Sequence, residues 1–250
     1  MFHPPHPLPS GAPSSRRREK GAARPDPRQF IRANLPLAPV PLAPEIRLHT
    51  AHPASGLWRL ARIDGQGFGS PYWAYPWAGG VALARYILDR PATVAGRRVL
   101  DLGAGSGIVA IAAAMAGAIQ VIAADVDRYA LGALGLNAEA NGVVVEALLD
   151  DLTAGLPPPV DLIGVGDLFY ERDLARRVTA FLDRCLACGI EVLIGDPHRP
   201  FLPRARLRLL AEHAVSDFGE AKDAATGTSA VFSFGPNVHG DAPRYGSRSP

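Results

Sequence analysis

Residues 99–107, VLDLGAGSG, run from an apolar strand into a turn holding three glycines and then straight into a helical segment. A strand that ends in side-chain-free backbone and continues as a helix opens a βαβ unit, and such units build a parallel sheet with helices on both faces. The chain keeps that rhythm. Strand-like apolar runs at 98–102, 121–124, 144–149, 162–165 and 192–194 alternate with helical patterns that begin at Ser106, Tyr129 and Glu171. Asn141 and Gly142 form the C-terminal cap of the second of these helices. The runs 214–218 and 228–234 have no long helix between them, which predicts an antiparallel closing pair. The expected class is α/β, doubly wound and mostly parallel.

Ligands of such sheets bind in the crevice outside the carboxyl ends of the strands, where this glycine turn lies. Gly103, Gly105 and Gly107 have the spacing GxGxG; a dinucleotide fingerprint needs its third glycine at 108, where the chain has Ile. Asp101 would repel a pyrophosphate but receive a cationic amine, directly or through water. Asp125, at the end of the next strand, is placed to accept from both hydroxyls of a ribose. Asp150 and Asp151 follow the third strand, where an acceptor suits an adenine amino group, and Asp151 is preferred. Any one of these acids reads equally well as a solvated loop carboxylate. Their succession at three strand ends selects a ligand with an amino group and a ribose but no phosphate, and S-adenosylmethionine meets that description.

On VLDLGAGSG and Asp125 the chain resembles the class I, seven-β-strand methyltransferases that use S-adenosylmethionine. On WAGG (77–80), GDLFYERDLA (166–175) and IGDPHRP (194–200) it is similar, within that class, to the protein-lysine methyltransferases of the electron transfer flavoprotein beta-subunit group. The resemblance covers residues 29–235. It implies a Rossmann-like seven-strand sheet, mostly parallel with an antiparallel last strand. It implies S-adenosylmethionine as cofactor, held by Trp77, Asp101, Gly103, Ala104, Gly105, Asp125, Asp151 and Gly166, with Trp77 at the methionine end, and the flavoprotein beta subunit as protein substrate. It also implies a catalytic pair, Asp167 and Tyr170.

A lysine ammonium, which in water loses its proton only near pH 10.4, has no lone pair until that proton leaves. Amide- and adenine-methylating enzymes resemble one another in placing Asn-Pro-Pro-Tyr where this chain has Asp-Leu-Phe-Tyr, and an acid there favours a cationic amine. Asp167 is accordingly expected to position the lysine, the proton passing to solvent before transfer. The alternative role for Asp167 and Tyr170 is a helix N-cap and a packed aromatic. Asp196, His198 and Arg199 follow the fifth strand, where they border the acceptor channel; related sequences carry Gly where His198 stands, and a surface turn also accounts for it. Similar sequences include methyltransferases of nicotinamide and of ribosomal protein L11, so a small-molecule N-methyltransferase of the nicotinamide type or an L11-type methyltransferase is the alternative function. A non-catalytic cofactor-binding protein is a further alternative, opposed by the intact Asp167 and Tyr170.

Composition excludes other classes. With 48% apolar and 20% charged residues, no apolar run reaches the length of a membrane span. The formal charge of +2 conceals one basic run, Arg16, Arg17, Arg18, Lys20 and Arg24 beside Glu19, too confined to make nucleic acid the main partner. Cys185 and Cys188 lack further ligands at metal-site spacing, and the apolar face of Leu174, Val178, Phe181, Leu182 and Cys185 reads as core, so no metal is expected. Residues 1–28 read as a disordered tail, 29–235 as the catalytic domain with an N-terminal extension over 29–76, and 236–250 as a second tail. The prolines between 31 and 52 predict extended chain. A first helix is expected over 57–61 and another from Val81, while Trp73, Tyr75 and Trp77 suit packing or binding equally. The default compartment is the cytoplasm, or the mitochondrial matrix if the Arg-rich tail is a transit peptide.

Overall fold

The computed structural model describes residues 26–52, 54–57, 70–215 and 227–236. The side chain of Asp26 accepts from the Arg28 amide and Pro27 takes the first helical position, so helix α1 (Pro27–Asn34) starts inside the segment read as tail. Residues 31–52 are likewise not simply extended. Ile31 belongs to α1, and strands β1 (Leu37–Val40) and β2 (Ala43–His49) form an antiparallel hairpin. Prolines confined to such a two-stranded ribbon cost it few ladder bonds, which is why a proline-rich sequence still pairs here. The helix expected over 57–61 lies, beyond Leu57, outside the described residues.

Seven strands make the main sheet: β3 (Arg98–Leu102), β4 (Gln120–Asp125), β5 (Glu146–Leu149), β6 (Leu162–Gly166), β7 (Glu191–Asp196), β8 (Leu207–Ala214) and β9 (Thr228–Phe234). Their spatial order is β5-β4-β3-β6-β7-β9-β8. All neighbours from β5 to β7 run parallel, and β9 inserts antiparallel between β7 and β8. This is the Rossmann-like, mostly parallel sheet that the sequence predicts, with β9 as its antiparallel last strand. The strand expected at 214–218 instead spans Leu207–Ala214. As an outer strand it buries little, so Arg208 and Glu212 break the apolar pattern without breaking the strand.

Helices α2 (Ala78–Asp89), α3 (Ile108–Met115), α4 (Arg128–Ala140) and α5 (Arg172–Ala187) surround the sheet. Side chains on a strand alternate between faces. Val99 therefore packs among Leu83, Ile87 and Val109 of α2 and α3, whereas Leu100 and Leu102 pack among Val178, Phe181, Leu182 and Cys185 of α5. A third cluster joins Ile31 and Leu35 of the N-terminal extension to Trp73, Tyr129 and Leu136. Buried Asn137 fastens that extension: it accepts from the His49 amide at 2.7 Å and donates to the Ser106 carbonyl of the glycine turn at 2.8 Å. Because the chain reverses direction across the sheet between β3 and β6, a crevice opens at their carboxyl ends. No helix among the described residues is long and apolar enough to cross a membrane.

Candidate active site

A cleft of about 850 Å³ lies over that crevice. Its floor is the glycine turn, where Gly103 (φ 68°) and Gly105 (φ 51°) adopt the left-handed conformation that side chains disfavour. The amides of Gly103 and Ala104 donate to the Ala124 carbonyl, and the Gly105 amide donates to Asp125 Oδ2 at 2.8 Å, so the tip of β4 holds the turn in shape. Gly105 opens to the cleft, the nearest atom to an added Cβ being Trp73 Cα at 3.8 Å.

Asp125 lines the cleft, its Oδ1 accepting from the Asp127 amide at 2.9 Å; burial raises its pKa against the pull of these amides. Asp150 and Asp151 both line the cleft. Asp151 is largely committed: Oδ1 accepts from the Thr153 amide and hydroxyl, Oδ2 pairs with Arg177 at 2.7 Å, and the Thr153 hydroxyl above all lowers its pKa. The exposed carboxylate of Asp150 makes no such bond to the described residues.

Asp101 departs from its expected place. Sharing the strand face of Val99, it is directed under α3 and is 2% exposed, with Oδ2 accepting from the Ala110 amide at 3.0 Å. Gly107, at the N-cap of α3, has no side chain to cap it, and Asp101 does so from the neighbouring strand. Burial pushes its pKa up to about 7, with the nearby Asp125 adding to the rise. Neither Asp101 nor Ala104 is among the residues that line the cleft.

At the other end, α2 begins in direct backbone contact with the strand tips. A Cβ on Gly79 would overlap the Gly195 carbonyl and lie 2.6 Å from Asp167 Oδ2, and one on Gly166 would lie 2.9 Å from Gly80 Cα. The glycines of WAGG and IGD thus permit a close approach of helix and sheet. Asp167, in the left-handed region at φ 57°, accepts from the Gly79 and Gly80 amides through Oδ2 and from Arg199 Nε (3.0 Å) and Nη2 (2.8 Å) through Oδ1. It is a helix cap after all, but of α2; α5, just downstream, has Glu171 at its N-cap position with no side-chain cap. With four donors on its two oxygens, Asp167 does not present the free acceptor expected for a lysine ammonium.

Arg199 lines the cleft, lies 5.8 Å from the Trp77 ring centroid and is held through its amide by Asp196 Oδ1 at 2.6 Å. Asp196 is fully buried beneath it, with Oδ2 unpartnered among the described residues; burial chiefly pushes its pKa up to about 7. His198 lies aside, edge-on to Phe232 and beside Arg204. Tyr170 lines the cleft, 5.4 Å from the Tyr72 ring, and burial raises its pKa. Trp77 donates to the Tyr72 carbonyl at 2.8 Å and meets the rings of Tyr72 and Tyr75. Trp73 is buried and its ring is stacked on Tyr129 while the residue also borders the cleft beside Gly105, so it serves packing and lining together.

The structure therefore gathers Trp77, Gly103, Gly105, Asp125, Asp151, Gly166, Asp167 and Tyr170 around one cleft and leaves Asp101 and Ala104 beneath it. Tyr72, Arg177 and Asn137 join the site or its support without having been expected there; only Tyr72 had a local signal, the aromatic density of SPYWAYPWAGG. Among the described residues no group of three His, Cys, Asp or Glu is placed to hold a metal ion.

Residues 83–163 match the family model of ribosomal protein L11 methyltransferase, a stretch that runs from within α2 through the glycine turn to the start of β6. Other relatives match far more of the chain. The electron transfer flavoprotein beta subunit lysine methyltransferase of Xenopus laevis is 40% identical over 84% of this chain and 87% of its own length. That of Rattus norvegicus is 41% identical over 78% of each. The Homo sapiens enzyme of the same name is 38% identical over 78% of this chain and 76% of its own length. Similarity that runs through both the glycine turn and the Asp167–Arg199 end of the cleft, at this identity, shows that the chain belongs to the electron transfer flavoprotein beta subunit lysine methyltransferase family.

Proposed function

We propose that the protein transfers a methyl group from S-adenosylmethionine to a lysine side chain of the electron transfer flavoprotein beta subunit. The observation that carries this reading is the chain-long similarity to lysine methyltransferases of that name, combined with a glycine-floored cleft whose polar lining is dominated by carboxylates. The residues fit such a donor. Arg177 and Arg199 of the cleft are charge-paired, with Asp151 and Asp167, Arg128 lies over the Tyr129 ring and donates to its hydroxyl, and carboxylates outnumber the arginines of the lining, which leaves a poor site for pyrophosphate.

Asp125 is the acceptor for the ribose hydroxyls, Asp150 the better acceptor for the adenine amino group, and Gly103 and Gly105 the backbone against which the nucleoside lies. Trp77, Tyr72 and Tyr170 wall the opposite end with aromatic surface. When bound, S-adenosylmethionine supplies an electrophilic methyl whose carbon–sulfur bond breaks, its electron pair staying on sulfur, as the new nitrogen–carbon bond forms. The enzyme's part is to align a deprotonated amine, the proton having gone to solvent.

Incubation with tritium-labelled S-adenosylmethionine and purified flavoprotein beta subunit, ribosomal protein L11 or nicotinamide tests the reading. Label in the beta subunit, located on lysine by mass spectrometry, is the expected result. Label only in L11 or nicotinamide would overturn it.

A further inference from the structure

A carboxylate beside an amine acceptor raises the amine's pKa, because opposite charge stabilises the ammonium. The acceptor end of this cleft is arranged to avoid that effect. Asp167 shares its charge with the bidentate guanidinium of Arg199, and its other oxygen faces the amides that open α2, the positive end of that helix. Arg199 is fixed on three sides, by Asp167, by the Trp77 ring and by Asp196, which binds its amide. We infer that Arg199 is a positioning residue that cancels the charge of Asp167, so that the cleft holds the substrate nitrogen as the free amine rather than as the ammonium. This rests on the lysine methyltransferase reading given above.

The groups facing this end are Asp167, Tyr170 and Glu171 from the turn before α5 and Arg199 from the turn after β7; Asp196, the last residue of β7, is buried beneath Arg199, and His198 lies beside it outside the cleft lining. Tyr72 faces it from the segment before α2, with Tyr75 packed edge-on behind the Trp77 ring, and the first turn of α2, Ala78–Val81, carries no titratable side chain. Asp125, Asp127, Arg128, Asp150, Asp151 and Arg177 line the rest of the cleft. Within this set Arg199 is the cation paired with Asp167. Its removal leaves a carboxylate that favours the proton that must depart.

The test is the dependence of kcat on pH, from about 6.5 to 10, with labelled donor and purified flavoprotein beta subunit, for wild type, Arg199→Met, Arg199→Lys and Asp167→Asn. A shift of one pKa unit changes the free-amine fraction by about tenfold on the acid limb. Arg199→Met is expected to lose about tenfold or more at pH 7.5 and to regain most of it near pH 10. Arg199→Lys keeps the charge and restores the wild-type profile. Asp167→Asn, tolerated in the left-handed conformation, shifts the profile to lower pH. Calorimetry with S-adenosylhomocysteine and the beta subunit gives a second readout: Arg199→Met binds the subunit at pH 7.5 at least as tightly as wild type. A loss equal at every pH, or none, overturns the inference while leaving the functional reading intact; an inactive wild type overturns both. If Arg199→Met does not fold, the other two variants decide: an Asp167→Asn profile moved to lower pH beside a wild-type profile for Arg199→Lys supports the inference, and an unmoved Asp167→Asn profile overturns it.

Discussion

Asp101 illustrates how one side chain can serve a fold at a cost that depends on pH. Its carboxyl caps α3 from within the core and keeps its proton up to about pH 7. In the unfolded chain it loses that proton near 3.9. Between those values the folded state binds the extra proton, so this group's contribution to stability declines as pH rises through the window and levels off above it. Asp101→Asn keeps an acceptor for the Ala110 amide and has nothing to titrate. Relative to wild type the variant is expected to gain on the order of 1–3 kcal/mol on going from pH 5 to pH 8, measured by urea unfolding at both. An unchanged difference would mean that the carboxyl is ionised in the fold at both values. His198 offers a second test, on backbone strain. It has φ 66° and lies outside the cleft lining, so His198→Gly is expected to relieve about 1 kcal/mol of left-handed cost, offset by the lost Phe232 and Arg204 contacts. Chemical denaturation that shows the variant more than about 1 kcal/mol less stable would contradict this.

Elements meet here with unequal tolerance. Gly79→Ala would drive a methyl into the Gly195 carbonyl and toward Asp167, forcing α2 off the sheet and weakening its cap. A loss of about 1–3 kcal/mol is expected, read as a fall in thermal midpoint. Asn137→Ala would strand the His49 amide and the Ser106 carbonyl, 88 and 31 residues away, and is expected to cost about 2 kcal/mol or more. Strands β3, β6 and β7 were legible because both their faces are covered, which writes them as nearly continuous apolar runs, broken in β3 only by Arg98 at its start and by Asp101, and in β7 only at its ends. The outer strand β8 and the β1–β2 hairpin were not, since partial exposure and proline erase that signal. The fate of Asp101 was legible in principle, because its parity with Val99 on β3 sends it to the α3 side. The pairing of Asp167 with Arg199 was not: 32 residues separate them, and only the register that sets Gly166 beside Gly195 brings them together.

At the scale of the whole molecule, sequence order and spatial order differ in a way that concentrates chemistry at one end of the sheet. The carboxyl ends of β3, β4, β5 and β6 all contribute to the cleft, so a ligand there braces four strands at once. S-adenosylhomocysteine at a hundred times its Kd is expected to add about 2.7 kcal/mol to stability, seen by calorimetry as a rise of roughly 5–10 °C in Tm. NADH at the same concentration is expected to leave Tm unmoved, and the reverse result would exclude a methyl-donor cleft. The same layout separates what can vary from what cannot. Where α2 and β7 touch main chain to main chain, neither can be thickened or slid without displacing the other. Evolution or engineering that seeks a new acceptor must therefore work on the side chains of the flanking loops, with the skeleton of the site held constant.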